Sequence, residues 1–378
     1  MRQTSTARGG AAATRLKVGV IGAGRIAQVM HLHYLRELAD LFEIAVVCDV
    51  VEATAVAAAA RFGIPASTTD WRRLLDEPLD AVLVLTPGSH AAVAIEAARA
   101  GLHVLVEKPM CFSTSEARAM VEAASTAGTT LMVAYNKRYD PAYERFRDEV
   151  SRFQDPRFLR VTTLESPIDP YITQYPRLPA LPASPDLLAA ARAADARAID
   201  DAIGDADDGP RAVYQAVLLD TLVHEINAVR GILGEPDSLD YADLRPETVT
   251  VMLRFGKLPV AIHWIDLPGI ARYRMEFALY SPDRRVTLAF PSPFLRNEPT
   301  LLEIEEGVVG SAAGSTSQLV TSYESSFKRE LLAFHDHIVN GTQPPTSGAD
   351  GLRDIALCQA IVECHRTGVP VPDPTTFG

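Results

Sequence analysis

The stretch that most restricts the fold of this chain is LKVGVIGAGRIA, Leu16 to Ala27. An apolar, β-branched run from Leu16 to Ile21 meets Gly22-Ala23-Gly24. It then passes into a helix whose Ile26, Met30, Tyr34, Leu38 and Leu41 recur at helical spacing. Strand, glycine turn and helix in this order make a phosphate cradle. Gly22 permits the tight turn, Gly24 lets backbone approach a pyrophosphate, and Ala27 is small enough for helix–sheet packing. The helix N-terminus adds free N–H donors, and Arg25 and Ile26 sit at that end, so both join Gly22 and Gly24 as expected cofactor contacts.

The next strand, Ile44 to Cys48, ends in Asp49, 25 residues after Gly24. A carboxylate there accepts hydrogen bonds from the adenosine ribose hydroxyls and repels a 2′-phosphate. No Arg or Lys follows until Arg61, so NAD is expected over NADP. A further strand, Ala81 to Leu85, ends in Thr86 and Pro87, both expected beside the cofactor. Ser89 reads as an N-cap for the helix after it, and His90 as a cofactor-side candidate. Leu102 to Val106 is another short strand, and it delivers Glu107, Lys108 and Pro109 to its carboxyl end, where ligands of open α/β sheets bind. A Lys-Pro bond is among those able to adopt the cis form. A helix from Ser113 to Ala127 and a strand from Thr130 to Ala134 extend the alternation, which predicts a doubly wound parallel sheet over 15–136.

From 137 onward the pattern changes. A helix over Tyr139–Phe153 leads to strands over Phe158–Glu165, Thr248–Phe255, Pro259–Leu267, Tyr273–Tyr280, Arg285–Phe290 and Leu301–Glu305, and two helices close the chain. Strands without helices between them predict a second, α+β domain with a large, mostly antiparallel open sheet over 137–378. Within it, 166–212 holds seven Pro and eight Asp, and the Ala-rich Asp186–Ile203 stretch reads as a helix. This insertion is expected to be a lid over the substrate cleft or an oligomer arm, with Tyr171 and Tyr175 able to stack on a sugar face.

The helix predicted over Val213–Leu233 carries Asp220 and His224 four residues apart, hence on one face, among apolar neighbours. A carboxylate beside an imidazole can hold one tautomer and raise its basicity, as proton removal from an alcohol requires. On its own such a pair is more often a structural hydrogen bond. A metal pair is disfavoured because no further His or Cys has ligand spacing, so no metal is expected.

Composition excludes other classes. A net charge of −12 with no basic stripe argues against nucleic acid, and no apolar run approaches a membrane span. Residues 1–14 lack the apolar core of a secretory signal and read as a disordered tail, so the cytoplasm is the expected location. Cys48, Cys111, Cys358 and Cys364 show no paired spacing and read as buried thiols.

Taken in order, GAGRIA, TP..H, HVLVEKP, YNKRYDP (Tyr135 to Pro141) and DTLVH (Asp220 to His224) resemble the Gfo/Idh/MocA oxidoreductases, and GADGLRDIALCQAIVECHRTGVPV resembles their closing helix. The resemblance implies a Rossmann domain followed by an α+β domain whose sheet face forms a homodimer or homotetramer. By the same motifs, Lys108 would contact substrate oxygen and the nicotinamide ribose, with Asp220 and His224 as the catalytic pair and His224 as general acid/base. Asn136, Arg138 and Asn227 would join Tyr171 and Tyr175 at the substrate, Asn227 standing where the family commonly has aspartate. The implied activity is NAD-dependent oxidation of a secondary alcohol of a polyol, cyclitol or sugar, or the reverse ketone reduction. NAD-dependent glycoside cleavage and dinucleotide sensing by a non-catalytic regulator are the rival readings.

Overall fold

The computed structural model describes residues 14–204 and 206–377, so the tail expected over 1–14 lies outside the described residues except for Thr14. Six strands, β1 (Leu16–Ile21), β2 (Phe42–Cys48), β3 (Ala66–Thr68), β4 (Ala81–Val84), β5 (His103–Val106) and β6 (Leu131–Val133), form an all-parallel sheet in the order β3-β2-β1-β4-β5-β6. The order reverses beside β1, and the crevice at such a reversal is where this class of sheet binds dinucleotides. Alternation along β4 divides the core. Ala81 and Leu83 pack with Met30, Leu35 and Leu331 on one face, while Val82 and Val84 pack with Ala94, Met120 and Ile355 on the other.

The helices end where sequence chemistry stops them. Ser113 caps Thr114–Ala127 with a reciprocal Ser113–Glu116 box, and Gly128 closes it at φ 69°. The expected helix over Tyr139–Phe153 is shorter, Pro141–Val150, because Asp140 caps it through the Ala142 N–H and a 3₁₀ turn, Asn136–Tyr139, precedes it. Ser89 is not the N-cap residue expected. His90 occupies that position, although the Ser89 hydroxyl accepts from the Ala91 N–H at 3.3 Å.

Nine more strands form the second sheet: β7 (Phe158–Glu165), β8 (Ser238–Leu244), β9 (Thr248–Phe255), β10 (Leu258–Asp266), β11 (Arg274–Tyr280), β12 (Arg284–Phe290), β13 (Leu301–Gly307), β14 (Gly314–Val320) and β15 (Val371–Pro372). Their order is β14-β13-β12-β11-β7-β10-β9-β8-β15, antiparallel except where β7 meets β10. This is the mostly antiparallel sheet that the sequence predicts. β14, GSTSQLV, escapes a pattern reading because every residue in it is exposed and no apolar alternation marks it.

Two departures from plain α-helix matter for the site. Ala27–His31 after the glycine turn and Tyr214–Leu222 before His224 are π-helical, continuing into the α-helices Leu32–Glu37 and Val223–Leu233. Extra turns of this kind cluster at functional sites. The last helices return to the first sheet: Ser326–Asn340 packs Phe327, Leu331 and Phe334 on one face of it, and Gly348–Thr367 lies on the other. Gly348 and Gly351 make that second contact close. A Cβ on either would stand 2.4 Å from Leu131 Cδ2 or 2.7 Å from Met110 Sδ.

Candidate active site

Gly22 adopts φ +98°, and a Cβ there would lie 2.8 Å from the Leu85 carbonyl carbon, so the turn admits only glycine. Around Gly24 nothing lies within 4 Å of that position, which leaves its backbone open to a phosphate. Asp49 accepts the N–H groups of Ala23 at 3.0 Å and Val51 at 2.9 Å, so its carboxylate stands directly beside the glycine turn. These features fit a bound dinucleotide.

A cavity of about 530 Å³ opens at the carboxyl end of this sheet. Gly24, Arg25, Ile26, Thr86 and Pro87 line its cofactor side, and Glu107, Lys108, Asn136, Tyr171, Asp220 and His224 line the remainder. The Lys108–Pro109 bond is cis. Lys108 Nζ donates to the Asp220 backbone oxygen at 2.5 Å and to Asp220 Oδ1 at 2.8 Å. Glu107 is fixed beneath it, with Oε1 2.6 Å from His31 Nε2 and Oε2 accepting the Lys108 N–H. Burial pushes the Glu107 carboxyl up, but the His31 bond and the Lys108 charge outweigh it and hold the group below its ordinary value.

The pairing expected between Asp220 and His224 is not what the structure shows. Asp220 is taken by Lys108, and His224 Nδ1 is buried without a hydrogen-bond partner, its ring edge-on to Tyr135 at 6.0 Å. A charge-assisted bond to an ammonium outcompetes one to a neutral imidazole. The imidazole is therefore less basic than a free one, not more. Burial first, then the charges of Lys137 and Lys108, hold its pKa well below 6.5.

Other expected residues lie elsewhere. His90 is buried away from the cavity, its ring nitrogens 2.8 Å from the Pro109 oxygen and 2.7 Å from the Thr86 oxygen, so it ties the loops after β4 and β5 together. Arg138 and Asn227 do not line the cavity either. Arg138 Nη1 donates to Asn227 Oδ1 at 3.3 Å, and Asn227 Nδ2 donates to Asp350 and Asp354, each at 2.7 Å, in a buried cluster completed by Arg230. An amide suits this place because it donates where an aspartate would add a third carboxylate. Asn227→Ala should destabilise the fold by about 2–4 kcal/mol, since the buried Asp354 and the half-buried Asp350 carboxylates each lose a donor. Urea unfolding would read this as a lower midpoint.

Of the two tyrosines in the insertion, only Tyr171 reaches the cavity, its hydroxyl accepting the Tyr273 N–H at 2.6 Å. Tyr175 instead donates to the Phe294 oxygen at 2.6 Å and carries the Arg296 guanidinium on its ring at 4.1 Å. Beyond it the insertion runs over the first sheet of its own chain. Leu178 N–H donates to Gln28 Oε1 at 2.9 Å, Arg61 bonds the Pro176 oxygen, and Ser115 bonds Asp201 from the Pro185–Ile203 helix.

Lys137, Glu165, Ser166 and Tyr273 line the cavity without having been singled out by sequence. Lys137 follows β6 and Glu165 closes β7, so position at a strand's carboxyl end was the available signal. Among the described residues no group of three or more His, Cys, Asp or Glu is placed to hold a metal.

A parallel sheet with a glycine turn at its reversal, facing a cavity that holds lysine, carboxylate and imidazole, defines a dinucleotide-dependent oxidoreductase architecture. Residues 16–135 match the model of the Gfo/Idh/MocA oxidoreductase family, described by its NAD-binding Rossmann fold. The chain is 25% identical to the uncharacterized oxidoreductase YrbE of Bacillus subtilis, over 94% of this chain and 96% of that protein. With myo-inositol 2-dehydrogenase of Thermotoga maritima it shares 24% identity over 90% and 94% of the two chains. The solved levoglucosan dehydrogenase in complex with NADH and levoglucosan has the same fold, with TM-score 0.73 and 22% identity over 96% of this chain and all of that one.

Proposed function

We propose that this protein is an NAD-dependent dehydrogenase that oxidises a secondary alcohol of a polyol, cyclitol or sugar, or reduces the matching ketone. The observation that carries this reading is the convergence of Lys108, Asp220 and His224 on one cavity beside the glycine turn. The family match over residues 16–135 and the dehydrogenase names of its relatives support it. Bound NAD supplies the hydride acceptor. Lys108, held by Asp220, points a cation at the substrate oxygen and stabilises alkoxide character as hydride departs. His224, neutral near physiological pH, removes the hydroxyl proton. Ketone reduction uses the same groups with the proton moving the other way.

The retained acid/base residue favours catalysis over dinucleotide sensing. Glycoside cleavage would leave no net NADH, so absorbance assays with NAD against myo-inositol, scyllo-inositol, D-xylose and levoglucosan separate the two chemistries. NADH formation with one of them is the expected result, and its absence with all of them counts against the dehydrogenase reading. A helix long and apolar enough to cross a membrane is not found among the described residues, and we place the enzyme in the cytoplasm as a homodimer or homotetramer joined through the second sheet.

NAD is the proposed cofactor in preference to NADP because Asp49 meets the ribose and its neighbour Val50 is exposed and uncharged. Asp49→Ser combined with Val50→Arg should narrow the preference. It should also weaken NAD, because the Ala23 and Val51 N–H groups lose their carboxylate. Calorimetric titration with both cofactors checks this, and equal wild-type affinities would remove the assignment.

A further inference from the structure

One wall of the cavity is unused by the chemistry above. Lys137 is 5% exposed, and its Nζ donates to the Tyr273 hydroxyl at 3.1 Å. Among the described residues it forms no ion pair. Behind it lies a second cavity of about 40 Å³, which shares Asn136, Lys137, Ser292 and Pro293 with the first. Asp140 and Ser322 also line this crevice, together with the exposed Glu298 and Glu324. The Lys137 side chain thus stands between the reaction cavity and a polar route to the surface.

Alcohol oxidation sends a hydride, with its electron pair, to the nicotinamide and a proton to His224, while the C–O bond becomes C=O. That proton must leave before the next turnover. His224 Nδ1 is buried, so the imidazole can discharge only through the cavity that cofactor and substrate occupy. We propose that Lys137 is a catalytic proton relay: its neutral amine takes the proton from the His224 imidazolium through cavity water, and the ammonium releases it to water in the rear crevice. Only protons move in these steps, so no further reactant is needed.

The relay rests on the dehydrogenase reading and deepens it. Its direction agrees with the charges around it. Burial lowers Lys137 to about 8, opposed by Glu225 on the helix behind His224, by Glu165 at the end of β7 and by Asp140, and assisted by Lys108. Glu225, whose Oε1 is bonded by the Thr163 hydroxyl, is itself raised to about 7 by burial. His224 lies well below 6.5, so a proton passes downhill from imidazolium to the amine form of Lys137, whose share grows as the pH rises toward about 8.

The test follows NADH absorbance and a pH indicator together in stopped flow, using the full chain with NAD and the four probe polyols named above. Wild type should release its proton in step with NADH. In Lys137→Met and Lys137→Arg, proton release should lag NADH by about tenfold or more, and added imidazole or methylamine should restore it in proportion to concentration. Arginine keeps the charge but does not deprotonate, which separates a relay from a residue that merely supplies charge. In-step release by Lys137→Arg in an active enzyme overturns the relay alone, and that variant decides the question if Lys137→Met fails to fold. Absence of NADH from wild type with every probe would remove the dehydrogenase reading and the relay together.

Discussion

Replacing His224 by alanine should lower the rate of alcohol oxidation by about 10²–10⁴ with little change in NAD affinity, the range for loss of a positioned general base. The pH profile carries a second signature. Burial, Lys137 and Lys108 hold the imidazole below its ordinary value, so the wild-type rate should rise with pH through an inflection below 6.5 and then level. The sign follows from which form acts: only the neutral ring accepts a proton, and neighbouring cations disfavour the charged ring. Persistence of that inflection in His224→Ala would assign it to another group.

Lys108→Ala should lower kcat by about 10²–10³, as removal of one donor from a developing oxyanion does, and should weaken substrate binding as well. It should also move the inflection upward. One cation near the ring is lost and the Asp220 carboxylate is left without its ammonium partner, and both changes favour imidazolium. Asp220→Asn should cost less than either, because Lys108 keeps its bond to the Asp220 backbone oxygen. Steady-state kinetics with the best polyol from the panel, taken across pH, would measure all three variants. An unshifted inflection in Lys108→Ala would exclude Lys108 as a source of the His224 depression.

Both sheets and the location of the cavity were legible in the sequence because they rest on local periodicity and on residues at strand ends. The glycine turn, Asp49 and Lys108 are fixed by chain position within a repeated strand–helix unit. Partner choice was not legible. Nothing near Asp220 in sequence shows that its carboxylate meets an ammonium 112 residues earlier and leaves His224 unpaired. Motif membership also failed to report direction. Arg138 and Asn227 belong to recognisable runs, yet both turn into the buried cluster around Asp350 and Asp354. Lys137, adjacent to Arg138, turns the other way because the 3₁₀ turn after β6 places consecutive side chains on different sides.

The return of the final helices to the first sheet has a consequence for how the chain is made. The Val133 N–H donates to the Thr346 oxygen at 2.8 Å, and Met132 bridges Ser347, so the outer edge of β6 is completed by residues more than two hundred positions downstream. During synthesis the nucleotide-binding half emerges first but keeps an open strand edge and a bare helix-packing face until the last helices leave the ribosome. A fragment ending at 136 would carry the same open edge permanently, which makes strand-to-strand association its predicted fate. Closure of that sheet edge is therefore acquired late, when almost the whole polypeptide has been delivered.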